Sequence, residues 1–503
     1  MVMSGAAKVR SIELDLSLYV PALATSVVGM VLSGNKGTKN SPTLITDEGT
    51  LVNTFGAPEV SDYGLLAAVR YLRKGNQLWV VRVGSYDVVA SKSLMSGASA
   101  AVLVDALSTG SWGNELSIVV TTGSVQGYQL QVRESGVVRE TYDNVLLGLA
   151  NVADPDYIST RINGVSEYVV VTPDTAYSTL TPATYTLSGG VSGTADSADI
   201  VGTQVGNTAT GLQLFRNPDV YDIDLLATPG IWWKDVVAEI LSIAEGRGDA
   251  FGLIDPPLGL SVQEVVEWHN GLLTGDPEYL TTQPNSSYAG LLYPWVQVYD
   301  SYSGSDLFVP PSGHWAGQMA YSDFLADPWF APAGMTRGVL VDALDIEYSA
   351  KDGERDYMYG TGLNAVNPIV NFKSRGGIVI WGQKTLLRNT TALNRINVRR
   401  MLNYLKKIIS QAVRALLFEP NDSGTWGSFT RLVNPVLRDV KARRGLYDFK
   451  VICDATTNTP AVIDRSTMIA KILLQPTKAA ELIELQFTLL PTGANFSEFA
   501  TTP

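Results

Sequence analysis

From Ala392 to Leu417 the sequence dictates a long amphipathic helix. Val398, Met401, Leu402, Leu405, Ile408, Ile409, Ala412 and Leu416 recur at spacings that, at about 100° per residue, share one face. Arg399, Arg400, Lys406, Lys407 and Arg414 fall on the other. The window Asn371–Lys450 holds 16 Lys+Arg against 4 Asp+Glu, whereas the 503-residue chain has 37 against 49, a net charge of −12. Outside the window 21 basic residues stand against 45 acidic ones, a balance of −24. Charge sorted this way asks for an acidic partner, or an acidic patch on a neighbouring copy. A second basic helix is predicted at Leu432–Arg443, with Arg438, Lys441 and Arg443 near its end and Arg444-Gly445 as the stop. Those cations would also simply compensate the helix dipole.

The rest of the chain narrows the class. Its length predicts two to four domains. With 45% hydrophobic and 17% charged residues it reads as folded and rich in loops. No uncharged apolar run reaches eighteen residues, so no membrane span is expected, and Met1–Arg10 lacks signal-peptide features. Cys453 is the single cysteine, which excludes an intrachain disulfide; its apolar surroundings predict a buried thiol. A sequence pI near 4.8 and a basic helix without interleaved aromatic platforms argue against nucleic acid.

In chain order, Ile12, Leu14, Leu16, Leu18 and Val20 alternate with polar residues up to Pro21, a strand without a nearby hairpin partner. It is either an edge strand of its own domain or an arm that adds to a neighbour's sheet. Thr25–Leu32 and Leu44–Thr46 precede a predicted helix at Tyr63–Lys74 and a strand at Gln77–Val83. Ser91–Thr210 changes character: its three arginines stand against 11 Asp+Glu, and short strands at Leu116–Thr121, Tyr128–Arg133 and Tyr168–Val171 predict a small β-rich domain. From Gly211 an α/β order returns, with strands Asp224–Ala227, Ala250–Ile254 and Leu291–Tyr299 and helices Ile231–Glu245 and Ser261–His269. Short strand–helix–strand links argue a parallel sheet. Phe449–Cys453 and Glu484–Leu490 read as strands; in the second, Leu485, Phe487 and Leu489 share one face. The polar tail Thr492–Pro503 carries only Phe496 and Phe499 as large apolar side chains, which suits an arm that docks on a neighbour.

No catalytic constellation stands out. His314 lies beside Ser312, but no nucleophile-elbow pattern surrounds them, and a histidine fixing a turn is the better account. The acidic run Asp342, Asp345, Glu347, Asp352, Glu354 and Asp356 lacks EF-hand spacing and reads as a solvated loop. No zinc, dinucleotide or paired-carboxylate motif appears, so neither cofactor, metal nor enzymatic activity is expected.

Five segments in register carry a resemblance. They are Pro310-Pro311-Ser312-Gly313-His314-Trp315-Ala316-Gly317, Pro328-Trp329-Phe330-Ala331-Pro332-Ala333-Gly334, and Asn367-Pro368-Ile369 with the run from Arg375 to Leu386. Ile396-Asn397-Val398-Arg399-Arg400-Met401-Leu402-Asn403-Tyr404 and Phe418-Glu419-Pro420-Asn421, with Trp426 beyond, complete the set. In order and spacing they resemble the contractile-tail sheath proteins of bacteriophages, and the likeness covers both ends and Gly211–Ala500. Lys384 departs from the family's common Arg and would not make a bidentate carboxylate contact. Tyr321-Ser322-Asp323 stands where an Arg-Thr-Asp-like triplet is usual.

The resemblance implies a mixed α/β, multidomain fold: an α/β sheath core, an inserted β-rich domain, and extended terminal arms. The expected divisions are an N-terminal arm at 1–22, the first part of the core at 23–90 and an acidic, solvent-facing insert at 91–210. The α/β core follows at 211–348, then a tube-facing C-terminal domain at 349–491 and a second arm at 492–503. It also implies rings of this chain stacked helically around a tail tube protein, meeting baseplate and tail terminator proteins. The subunit would be assembled in the host cytoplasm, carried in the virion, and contract to drive the tube through the host envelope. The N-terminal strand, Phe496 and Phe499 would be the inter-subunit arms, and Leu485, Phe487 and Leu489 the accepting strand. Arg399, Arg400, Lys406, Lys407, Arg438, Lys441, Arg443 and Arg444 would meet the tube or a neighbour. A bacteriocin or secretion sheath is the near alternative; a soluble α/β enzyme binding a phosphorylated ligand is the distant one.

Overall fold

A computed structural model describes residues 26–360, 364–373 and 376–485. Ile12, Leu14, Leu16, Leu18 and Val20 lie outside the described residues, as do Phe487, Leu489, Phe496 and Phe499.

Eight short apolar runs build the central sheet. They are β1 (Val28–Leu32), β2 (Thr43–Ile45), β3 (Leu78–Arg82), β4 (Leu225–Ala227), β5 (Phe251–Ile254), β6 (Ala289–Tyr293), β7 (Val366–Phe372) and β8 (Gly377–Ile380). The strand order is β2-β3-β1-β4-β5-β6-β7-β8. The six inner strands pair parallel, and β2 and β8 close the two edges antiparallel. Because β1, β4, β5 and β6 are buried along their whole length, they show no alternation in sequence.

Helices cover both faces. α1 (Tyr63–Leu72) packs on one face; α2 (Lys234–Arg247) and α3 (Val262–His269) pack on the other. Ser261 caps α3, with Glu264 completing the reciprocal box. The Pro-Ser-Gly-His motif, read in sequence as a turn, instead opens α4 (Pro311–Leu325), which lies beside α1. Pro311 suits the first helical turn, where its missing N–H costs nothing. A side chain at Gly313 would place Cβ 2.4 Å from the Ala67 carbonyl oxygen, so glycine lets the two helices touch. The single strand predicted at Leu291–Tyr299 is two: Pro294 separates β6 from Val296–Asp300, which belongs to a three-stranded sheet with Ser305–Val309 and Asp345–Ile346.

Residues 91–186 build two further antiparallel sheets around their own apolar cluster. The chain enters and leaves this unit side by side, with Ser85, Val88 and Ser91 bridged to Thr194, Val191 and Ser188. At the other end, α5 (Ile396–Val413), α6 (Ser423–Ala442), β9 (Leu446–Ile452) and β10 (Lys471–Pro476) surround a core of Met401, Leu405, Ile408, Phe429, Val433 and Leu437. β9 and β10 form a two-stranded antiparallel sheet. Of the strand predicted at Glu484–Leu490 only Glu484 and Leu485 are described; neither is in a strand, and Leu485 is exposed. Cys453 is half-buried rather than buried, with its thiol pushed up by burial.

Candidate functional site in the basic helices

The apolar stripe of α5 faces α6 as its spacing predicts, but the opposite face is only partly wet: Lys406 and Arg414 are exposed, and the rest of its cations are not. Those are pressed against the core, where Arg399, Arg400 and Lys407 are all at least nine-tenths buried. The expectation that these three meet a partner is therefore corrected: each is held inside the chain. Charged residues at helical spacing look the same in sequence whether they face water or buried carboxylates.

Arg400 makes the tightest of these contacts. Its Nη1 and Nη2 donate to both Asp323 oxygens at 3.0 and 2.6 Å, and Nη2 also donates to Ser26 Oγ at 2.9 Å. The side chains of this ion pair are 5% and 2% exposed. Ser26 in turn donates its hydroxyl to Asp323, and its carbonyl accepts from Tyr71 Oη at 2.8 Å. Ser26 has φ of 65°, a left-handed conformation costly for a residue with a side chain, and three partners fix it there. One residue on, the Val27 amide donates to Asp224 at 3.0 Å, and Lys407 Nζ reaches the other oxygen of Asp224 at 2.7 Å and also Asp222. Burial opposes the Lys407 charge, but Asp224 and Asp222 more than offset it, so the ammonium titrates above the ordinary lysine value. Thus α5, the end of α4 and the loop leading into β4 together clamp Ser26 and Val27, the first two described residues.

Arg399 stacks on the Tyr288 ring, 4.0 Å from its centroid, and donates to Ser287 Oγ. Burial pulls its guanidinium below its ordinary value. Lys406, the exposed member of the set, reaches Tyr288 Oη at 2.7 Å. Arg414 pairs with Asp219 at 2.6 Å on the surface.

The α6 end keeps its cations outside. Arg438, Lys441, Arg443 and Arg444 are exposed. Lys441 pairs with Asp448 at 2.7 Å, and Arg443 pairs with Asp327 and Asp439 over the Trp329 ring. Neither Arg438 nor the Arg444 side chain has an ionic partner among the described residues. Lys384 donates to the Tyr359 carbonyl and lies 4.7 Å from that ring's centroid, so a carbonyl takes the place of a carboxylate there. Asp323, Asp224 and Ser26 were missed as site residues; their sequence distance from α5 leaves no local signal.

Among the described residues no group of three or more His, Cys, Asp or Glu could hold a metal ion, and no helix is long and apolar enough to cross a membrane. His314 and Ser312 point to different partners. Ser312 donates its amide and hydroxyl to buried Asp255 at 2.8 and 2.6 Å, while His314 Nε2 stands 3.4 Å from Asp342.

Three family models match successive stretches of the chain. Residues 25–83 match the tail sheath protein Gp18 domain III N-terminal region, 212–386 the phage tail sheath protein central domain, and 388–489 the phage tail sheath C-terminal domain. The tail sheath protein of Vibrio phage KVP40 is 32% identical over 307 residues, 56% of this chain and 45% of the relative. That of Enterobacteria phage T4 is 30% identical over 325 residues, 62% and 48%. The chain thus spans about half the length of these curated relatives. Among solved structures, a sheath tail protein from Listeria innocua superposes with TM-score 0.60 at 12% identity, covering 89% of this chain and 94% of the other. The sheath of an extracellular contractile injection system in its contracted state gives 0.57 at 18%, covering 97% and 98%.

Proposed function

The chain belongs to the phage tail sheath family, and from that premise we propose that it is the structural subunit of a contractile sheath. Copies stack as helical rings around a tail tube, and contraction drives the tube through the host envelope. The observation that carries this reading is the ordered match of 25–83, 212–386 and 388–489 to three sheath modules.

Heterologous contacts of this kind do not close on themselves and so build a long tube. The first 22 and last 12 residues act as arms that join neighbours by strand addition. The two-stranded β9–β10 sheet leaves its outer edges unpaired among the described residues and offers main-chain groups to such strands. The clamp on Ser26 passes load from the N-terminal arm into α5 and β1. Residues 91–210 face solvent, where their acidity keeps the assembly soluble. Lys406, Arg438, Lys441, Arg443 and Arg444 meet the tube or a neighbouring subunit. Baseplate and terminator proteins cap the ends, and the role is mechanical rather than enzymatic.

A second reading, the sheath of a bacteriocin or injection apparatus, is favoured by the near-complete mutual coverage with the injection-system sheath. Sedimentation of the purified chain over a range of concentrations tests the shared claim. Polymers that pellet above a threshold concentration support it; a discrete monomer at every concentration, with tube protein supplied, overturns it.

A further inference from the structure

At the C-terminal end of α1, Arg70, Arg73 and Lys74 converge with His314 of α4 and Asp342 on a cavity of about 210 Å³. Arg70 and His314 are each 3% exposed, while Arg73 and Val341 reach solvent at the mouth. Two guanidinium groups and the His314 imidazole crowd the Asp342 carboxylate, and none closes on it well; Asp300 acts on Arg70 as well. Arg73 Nη1 is 3.3 Å from Asp342 Oδ2, Arg70 Nη1 is 3.6 Å from the same oxygen, and His314 Nε2 is 3.4 Å from Oδ1. Charge-assisted bonds close to about 2.7–2.9 Å, as Arg400 and Asp323 do at 2.6 Å.

The remaining partners do not make up the difference. Arg70 Nη2 donates to the Tyr299 carbonyl at 3.1 Å, but its Nε and Nη1 are buried without a hydrogen-bond partner, as are both ring nitrogens of His314. Lys74 donates to the neutral Gln318 amide and lies over the face of Tyr321, with Asp342 acting on it without a direct ion pair among the described residues. Cations that merely compensated the α1 dipole would not need to converge on a shared cavity. These do converge, in a place where unpaired donors are costly.

We propose that this cavity is a binding site for a small oxyanion, a phosphate or a carboxylate, held by Arg70, Arg73, Lys74 and His314. Burial keeps His314 neutral by lowering its titration, so the imidazole can offer an N–H without adding charge. Asp342 then serves as a partial counter-ion that fixes the guanidinium groups in place. The oxyanion comes either from solution or from an acidic side chain of a second copy, whose surplus of carboxylates supplies one; only the second source rests on the sheath reading.

Two arms of one experiment separate these sources. Unassembled chain is titrated with inorganic phosphate against a chloride control of equal ionic strength, and its thermal midpoint is followed. Wild type should rise progressively, and Arg73→Gln/Lys74→Gln, which alters the accessible mouth, should need about ten- to a hundredfold more phosphate per donor lost. In the second arm, assembly is measured in phosphate-free buffer. If a neighbour's carboxylate is the occupant, the variant assembles less readily and phosphate inhibits wild type but not the variant. Wild type that neither shifts with phosphate nor loses assembly to it overturns the site. A wild type that never assembles refutes the sheath reading while the first arm still decides this one.

Discussion

Arg400→Ala should cost far more than a surface charge can. The guanidinium spans both Asp323 oxygens and Ser26, and the pair is almost fully withdrawn from water. Truncation leaves the Asp323 carboxylate buried with the Ser26 hydroxyl as its remaining donor within this clamp. Breaking one side of such a pair costs about 3–5 kcal/mol, because the surviving charge has lost water and partner together. Arg414→Ala is the internal comparison: its pair with Asp219 is 66% and 67% exposed and should be worth about 0–1 kcal/mol. Equilibrium urea denaturation of the two variants measures the contrast. Arg400→Met/Asp323→Leu should recover a large part of the loss, since an apolar pair removes the stranded charge. If Arg400→Ala loses less than about 1 kcal/mol and behaves as Arg414→Ala does, the clamp is not buried and the reassignment of α5 from partner contact to internal strut is wrong.

Other perturbations follow from the same geometry. Reversing Arg438 and Arg444 together should leave stability within about 0.5 kcal/mol yet weaken sheath assembly; unchanged assembly in a pelleting assay would remove them from the interface. Gly313→Ala should destabilise by about 1–3 kcal/mol or more through its clash with Ala67, whereas Gly246→Ala, where an added methyl group meets nothing within 4 Å, should not lower the melting midpoint. Two buried groups should tilt stability against pH in opposite senses. Burial, against three donors, raises Asp255 to about 6, so its folded form holds a proton that the unfolded form has released, and stability falls as pH rises from about 4 to 6. Burial lowers His269 to about 4, so the unfolded form binds the proton first and stability falls as pH drops from about 6.5 to 4. At about 1.4 kcal/mol per pH unit, relative to pH 7.5, His269→Gln should be relatively more stable at pH 5 than wild type and Asp255→Asn relatively less, as read from urea midpoints.

What the sequence disclosed divides along physical lines. Fully buried parallel strands and the capped helix after Ser261 announce themselves locally, through apolar runs and the Ser261–Glu264 box. The stripe of α5 was legible for the same reason. Its other face was not, because the partners that turn three cations inward lie far away; Ser26 and Arg400 are 374 residues apart. Helix α4 left little periodic trace because nearly all of its first three turns are buried, so no polar face alternates with an apolar one. The four groups around the oxyanion cavity come from two separated stretches and their counter-ion from a third, and Asp342 within an acidic run looked solvated when it is the counter-ion of α1.

On the proposed reading, this chain polymerises into a sheath through its terminal arms. Negative-stain microscopy of the 503-residue chain beside a version lacking residues 1–22 and 492–503 tests it most directly. Hollow tubes from the first and monomers from the second are the predicted result. Tubes from both would contradict the essential arms, and tubes from neither, at high concentration with a tube protein present, would contradict the sheath itself.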